Sequence, residues 1–342
     1  MTTLVIGGSG MLGSAIVRQL NGAGADVRVF DRIAYPDPRI ETRISDVLDA
    51  VALESAIAGV ETVIHTVAAV SQTTRPIPMM YAINVGATES VIAACQRQGV
   101  GRLIYTSSID VVFDGTDITD GDESLPYPAH HLDYYGTTKM LAERAVIAAN
   151  GVSGLATCSL RVGALYGEND HNRFPVVLQP VFDTGIYTRL GDGTAKHGFA
   201  FVDNCAYAHL LAAQQLTLDS AIAGECYFIN DHPPVNFFDF FLPYLDALAV
   251  AYQVRSTPYG VVKALARVTQ FMANRRPIPA DSIPASGGLS RYAVEATCRD
   301  FWFNHRKATR DLGYAPLFDQ SVAFDRTLAW LRTWIAARAE NS

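Results

Sequence analysis

Cysteine is scarce in this chain of 342 residues, and the five present (Cys95, Cys158, Cys205, Cys226, Cys298) are widely separated. They form no Cys-x-x-Cys pair and their number is odd. That pattern fits buried thiols in a reducing compartment and argues against a disulfide framework or a zinc ribbon. Basic excess is also lacking: 27 Lys and Arg face 34 Asp and Glu, a formal charge of −7 at pH 7. Such a balance argues against a nucleic-acid partner, and no block of like charges suggests an interaction tail. No run approaches the ~20 apolar residues of a membrane span. The start, Met1-Thr2-Thr3-Leu4-Val5-Ile6-Gly7, has no basic segment leading into an apolar one, so no secretory leader is expected. A cytoplasmic protein follows as the expectation. Of the eight histidines, His130 and His131 are adjacent and point apart on a regular element, the other six have no carboxylate or cysteine at ligand spacing, and no metal site is expected.

Hydrophobic residues make up 49% of the chain, ample for a core. Short apolar runs at Thr3 to Ile6, Val27 to Phe30, Thr62 to Thr66, Leu103 to Thr106 and Ala156 to Leu160 read as buried strands. Helical patterns fall between them, at Met11 to Asn21, Ala50 to Ala58, Tyr81 to Gln98 and Tyr135 to Ala149. Strict alternation implies an α/β fold with a doubly wound parallel sheet, its ligands at the C-terminal strand ends. Residues 1–160 are expected to form a dinucleotide-binding domain. Residues 161–342 are expected to form a smaller, interleaved substrate-binding part, with segments at about 200–230 returning to the sheet. There prolines cluster, as do Phe237, Phe238, Phe240 and Phe241. Tyr259 to Ala273 reads as a basic amphipathic helix. It either packs over the substrate pocket or touches a membrane surface.

The first strand runs into Gly7-Gly8-Ser9-Gly10-Met11-Leu12-Gly13. Gly7, Gly10 and Gly13 permit a tight strand-to-helix turn and close approach of a pyrophosphate. The first helical N–H groups, at Met11 and Leu12, face the phosphates. The second strand ends at Asp31, whose carboxylate can accept from ribose hydroxyls and repels a 2′-phosphate, favouring NAD. Arg32 can pair with such a phosphate, which leaves NADP open. Asp46 and Val47 follow a third strand position and can touch the adenine, with a helix cap as the alternative role for Asp46.

Tyr135-Gly136-Thr137-Thr138-Lys139 places a tyrosine and a lysine on one helix face. A free tyrosine, with a pKa of ~10, is a poor base. A neighbouring ammonium is expected to stabilise its phenolate. Ser108 closes the strand Leu103-Ile104-Tyr105-Thr106-Ser107-Ser108, where its hydroxyl can meet a substrate oxygen.

These motifs resemble the extended short-chain dehydrogenase/reductase family across nearly the whole chain. The resemblance includes Val63-Ile64-His65-Thr66-Val67-Ala68-Ala69, Asn84-Val85-Gly86-Ala87-Thr88 and Leu160-Arg161-Val162-Gly163-Ala164-Leu165-Tyr166-Gly167. It implies a Rossmann sheet, a Ser108-Tyr135-Lys139 centre, and cofactor contacts from Ala68 and Val162. Val162 stands where relatives often carry proline. Phe201 to Leu211, Gly224 to Val235 and Lys307 to Tyr314 are similar to the 3β-hydroxysteroid dehydrogenase/isomerase group. That resemblance implies an NAD(P)-dependent oxidoreductase acting on a secondary alcohol or ketone. A bulky apolar 3β-hydroxysteroid, sterol carboxylate or related 3-hydroxy acid is the expected substrate. Nucleotide-sugar epimerases and dehydratases are the rival reading, but His197-Gly198 replaces their Arg-Asp pair. A non-catalytic cofactor sensor is the other, and sensors often lack the Tyr-Lys pair. A homodimer is expected through helix faces that include Val85, Ile92, Leu141 and Val146.

Overall fold

The structure, a computed structural model, describes residues 2–275, 277–283 and 289–339. Seven parallel strands build the main sheet: β1 (Thr2–Ile6), β2 (Asp26–Asp31), β3 (Glu41–Ile44), β4 (Thr62–His65), β5 (Arg102–Ser108), β6 (Ala156–Val162) and β7 (Cys226–Ile229). They lie in the order β7-β6-β5-β4-β1-β2-β3. The winding reverses between β1 and β4, which opens a crevice at the C-terminal strand ends. Val5 of β1 sits beside Val29 on one side and Ile64 on the other. β6 is buried along its whole length, as its apolar run requires in a doubly covered sheet. β3 is an exposed edge strand with a polar sequence, which is why no apolar run announces it.

Alternate residues of each strand face opposite layers. Leu4, Ile6, Val63, Leu103 and Tyr105 pack under α2 (Ala50–Ile57), α3 (Ala87–Gln98) and α4 (Tyr134–Ala148). Val5, Ile64, Ile104 and Cys158 pack under α1 (Met11–Gly22) and α5 (Val202–Gln215). Each fully buried Val, Leu or Ile contributes roughly 1.5–3 kcal/mol, and the two layers together clamp the sheet. The expected helix from Tyr81 to Gln98 is broken. A short helix (Pro78–Tyr81) leads through a π-helical turn (Ala82–Gly86) into α3. Four short strands, Val235–Asn236, Lys196–His197, Phe301–Phe303 and Ile118–Gly121, form a separate sheet drawn from both halves of the chain.

Phe238, Phe240 and Phe241 are buried, and Phe240 stacks on Phe199 at 3.8 Å between ring centroids, so these aromatics are core. Val85, Ile92 and Val146 are also buried within the protomer and Leu141 is half-buried, so packing within the protomer accounts for most of these apolar faces. Tyr259–Ala273 does form a helix, α6, but buries only Val262 and Ala266. Among the described residues no helix is long and apolar enough to cross a membrane.

Candidate active site

The glycine loop joins β1 to α1 at the crevice. Gly7 has φ +88°, a region L side chains rarely adopt. A Cβ at Gly13 would stand 2.0 Å from the Gly7 carbonyl oxygen, so only glycine lets the helix pass this close. Gly10 caps α1 with no side-chain hydrogen bond, leaving the first amides free for an anion. This cradle fits a dinucleotide pyrophosphate. Asp31 closes its far wall: its carboxylate accepts the Ser9 N–H at 3.0 Å and the Ile33 N–H at 3.2 Å. Arg32 is exposed. Asp46 is exposed and accepts the Leu48 N–H at 2.9 Å. The cap of α2 is Asp49, so the capping role weighed for Asp46 belongs to its neighbour three residues on. Val47 and Leu12 are buried in the core, whereas Met11 and Ala68 are half-buried at the loop ends.

Ser108, at the end of β5, lies beside Val162 of β6 in the sheet register. Tyr135 opens α4, and its hydroxyl interacts with Ser108. One turn further, Lys139 is buried and donates from Nζ to the Thr106 carbonyl at 2.6 Å. The three expected catalytic side chains therefore converge. Burial pushes the Lys139 ammonium down to about 7, against the upward pull of Glu143 and Asp110. Burial, reinforced by the Asp110 charge, raises the Tyr135 hydroxyl above its ordinary value, with Ser108 pulling the other way. The expected lowering of Tyr135 by Lys139 does not govern this state, because that ammonium is turned to the Thr106 carbonyl.

His65 and His209 pack beneath the site. Burial and the Lys139 charge lower His65 to about 3, so it is a neutral partner of Thr88 at 3.1 Å. His209 bridges the Cys205 carbonyl and the Thr106 hydroxyl, both at 2.8 Å, tying α5 to β5.

Several residues around the centre carried no role in the sequence reading. Asn84, in the π-helical turn, exchanges hydrogen bonds with both backbone groups of Ala69 and donates to Thr138 of α4 at 2.9 Å. It thereby locks the loop after β4 to the helix of Tyr135. Glu143 is fully buried and pairs with Arg161 at 2.8 Å, while Ser159 and Tyr127 also donate to it. Burial alone would raise Glu143, but the Arg161 charge and hydrogen bonds from Arg161, Ser107 and Ser159 together keep the carboxylate below its ordinary value. Asp110 accepts the Ser108 hydroxyl at 2.6 Å and, on its other oxygen, the Tyr292 hydroxyl. Asp133 caps α4 through the Gly136 N–H at 2.9 Å. Burial and the Asp110 charge push Asp133 well above the usual carboxylate range. The four-residue step from Lys139 was the one signal that pointed to Glu143. Tyr292 lies 182 residues from Asp110, beyond any local pattern.

The family model for 3-beta hydroxysteroid dehydrogenase/isomerase matches residues 4–257. The chain belongs to that family. It is 35% identical over 336 residues to the 3 beta-hydroxysteroid dehydrogenase/Delta 5-->4-isomerase of Mycobacterium tuberculosis, covering 96% of this chain and 89% of that one. It is 32% identical to the mouse sterol-4-alpha-carboxylate 3-dehydrogenase, decarboxylating, covering 95% and 89%. Among solved structures, the UDP-glucuronic acid 4-epimerase of Bacillus cereus, in complex with UDP-glucuronic acid and NAD, superposes with a TM-score of 0.75. That match spans 98% of this chain and 100% of the epimerase at 17% identity, and it speaks to the fold alone. Within this dehydrogenase family, His197 departs from the nucleotide-sugar pattern in the expected sense. Burial, with Arg173 nearby, lowers it to about 3, leaving a neutral imidazole.

Proposed function

We propose that this dehydrogenase uses NAD to oxidise the secondary alcohol, or reduce the ketone, of a 3β-hydroxysteroid, sterol carboxylate or related apolar 3-hydroxy acid. The reading is carried by Lys139, one turn beyond Tyr135 on α4, donating to the Thr106 carbonyl of β5, the strand that ends at Ser108. Gly7, Gly10 and Gly13, with the amides of Met11 and Leu12, hold the pyrophosphate. Asp31 accepts the adenosine ribose hydroxyls, which favours NAD over NADP. NAD, when bound, supplies the hydride acceptor and a positive ring that favours a phenolate at Tyr135. Tyr135 takes the hydroxyl proton. Lys139 reaches the nicotinamide ribose by leaving the Thr106 carbonyl. Ala68 and Val162 line the cofactor side of the crevice.

The test is the absorbance of reduced nicotinamide with NAD or NADP and a panel of 3β-hydroxysteroids, sterol acids and nucleotide sugars. Reduction of NAD with a steroid is expected, and turnover of a nucleotide sugar alone overturns the reading. Tyr135→Phe, which removes the base and little volume, is expected to cost about 10²–10⁴-fold in turnover.

A second surface supports contact with an anionic membrane. On α6, Val261, Leu265, Val268, Phe271 and Met272 are 49–60% exposed, as one contiguous stripe. Residues 247–280 hold five basic and no acidic side chains in a chain of net charge −7. An apolar stripe among basic residues suits a bilayer surface that carries the apolar substrate.

A further inference from the structure

Arg173 is the first residue of the helix Arg173–Thr184. Its Nε donates to the Leu165 carbonyl at 3.3 Å. Leu165 follows three residues after Val162, the register partner of Ser108 in the sheet. Adjacent strands lie about 4.8 Å apart and three residues span at most about 11 Å, so the carbonyl that anchors Arg173 is no more than about 16 Å from the Ser108 backbone. The Arg173 charge is also felt at Tyr292, whose hydroxyl is held by Asp110 beside Ser108.

The guanidinium is half-buried, and its central carbon lies 5.9 Å from the ring centres of both Phe199 and Phe237. That is the outer reach of a cation–π contact, so the rings border the cation without satisfying it. Among the described residues no carboxylate pairs with it. Asp170, three residues back, gives its Oδ1 to the N–H groups of Asn172 and Arg173 instead. A fork of donors taken partly out of water with no anion to answer it is costly. A second group at the same place is unpaired. His197 is 4% exposed, and its Nε2 has no hydrogen-bond partner among the described residues. Its ring meets Phe237 edge-on with 5.5 Å between centroids, so Phe237 touches both the imidazole and the guanidinium. Burial keeps that imidazole neutral, with one N–H to give.

We propose that Arg173 is a specificity-determining residue that receives a carboxylate on the substrate, with His197 as a second donor, so that the enzyme selects an acid over a neutral 3β-hydroxysteroid. The inference rests on the dehydrogenase reading above and chooses among its substrates. A guanidinium fork matches the two oxygens of a carboxylate. One cation bordered by aromatic rings suits a single carboxylate on an apolar skeleton. A diphosphate spreads its charge over more oxygens than one fork and one imidazole can meet. The reacting hydroxyl stays at Ser108 and Tyr135, so the carboxylate belongs to the same end of the molecule. No bond forms or breaks at Arg173; the ion pair holds the substrate in register.

The test measures kcat/KM with NAD for a 3β-hydroxysterol 4-carboxylic acid, its methyl ester, and the same sterol without the carboxyl group. The parent should prefer the free acid at least about tenfold over both, since hydrogen bonds to a charged group are at stake. Arg173→Met keeps an apolar stem and removes the fork. It should lower the acid-to-neutral ratio at least about tenfold, mainly through KM of the acid. Arg173→Lys keeps the charge, loses the fork and should fall between. Quenching of protein fluorescence by NAD should be unchanged in both variants, a readout of folding that is separate from turnover. The ester removes the charge without touching the protein, so the inference stands or falls even if Arg173→Met is unstable. A parent that uses the neutral sterol as well as the acid overturns the role of Arg173 alone. So does an acid-to-neutral ratio that Arg173→Met leaves where it was. A parent silent on every sterol while turning over a nucleotide sugar overturns the proposed function, and this inference with it.

Discussion

Lys139 shows what burial does to a single side chain. Its folded-state value of about 7 lies below the free-lysine value of ~10.4. Between the two, the unfolded chain binds more protons than the native one, so stability rises with pH across that window. Below about 7 both states are charged and this slope disappears. Lys139→Met should flatten the rise in the urea midpoint between pH 7 and 10, at the cost of activity. At the cofactor loop, Gly13→Ala meets a carbonyl oxygen 2.0 Å away. It is expected to weaken NAD binding, measured by quenching of protein fluorescence, more than it lowers the melting temperature. Asp31→Ala should lower the ratio of kcat/KM for NAD over NADP, because the group that repels a 2′-phosphate is gone. An unchanged ratio would assign that discrimination elsewhere.

Strands and helices explain why these residues meet. α4 begins at a buried aspartate cap and carries Tyr135, Lys139 and Glu143 at four-residue steps. Its inner face is polar, and Arg161 on β6 answers it. Breaking a buried pair leaves an uncompensated charge, so Glu143→Leu should cost about 3–5 kcal/mol in urea unfolding. Glu143→Leu with Arg161→Met should cost clearly less, since neither charge is then stranded. An equal loss in both would mean that Ser159 and Tyr127, not the ion pair, depend on Glu143. The π-helical turn at Ala82–Gly86 is a second such device. It turns Asn84 toward Ala69 and Thr138, consistent with the frequent placement of π-bulges at functional sites.

Taken whole, the chain is acidic, and α6 presents an exposed apolar stripe with two basic side chains, Lys263, which pairs with Glu295, and Arg267. Leu265→Asp with Val268→Asp should abolish co-sedimentation with phosphatidylserine vesicles while leaving turnover of a detergent-dispersed steroid intact, since both residues are about half exposed. Unchanged sedimentation would remove the membrane reading of α6. The polar edge β3 escaped the apolar-run reading because an edge strand has one side in water. The phenylalanines near residue 240 stood out in the sequence only as an aromatic cluster in the second half, and packing puts Phe238, Phe240 and Phe241 in the core, because apolarity does not say which neighbour covers it.

The parallel sheet, the glycine turn and the Tyr135-Lys139 step were legible from residue order. Each is a local pattern: apolar runs of strand length, glycines at fixed spacing, two side chains one helical turn apart. Ser108 and Asp31 were legible too, as strand ends in that pattern. Asp110, Asp133, Asn84 and Tyr292 were not, since their meaning lies in who faces them. Tyr292 reaches Asp110 across 182 residues, and Arg161 reaches Glu143 across 18. Charge states belong to the same class. Whether a tyrosine or lysine holds its proton depends on burial and on neighbours that only the packed chain brings within reach.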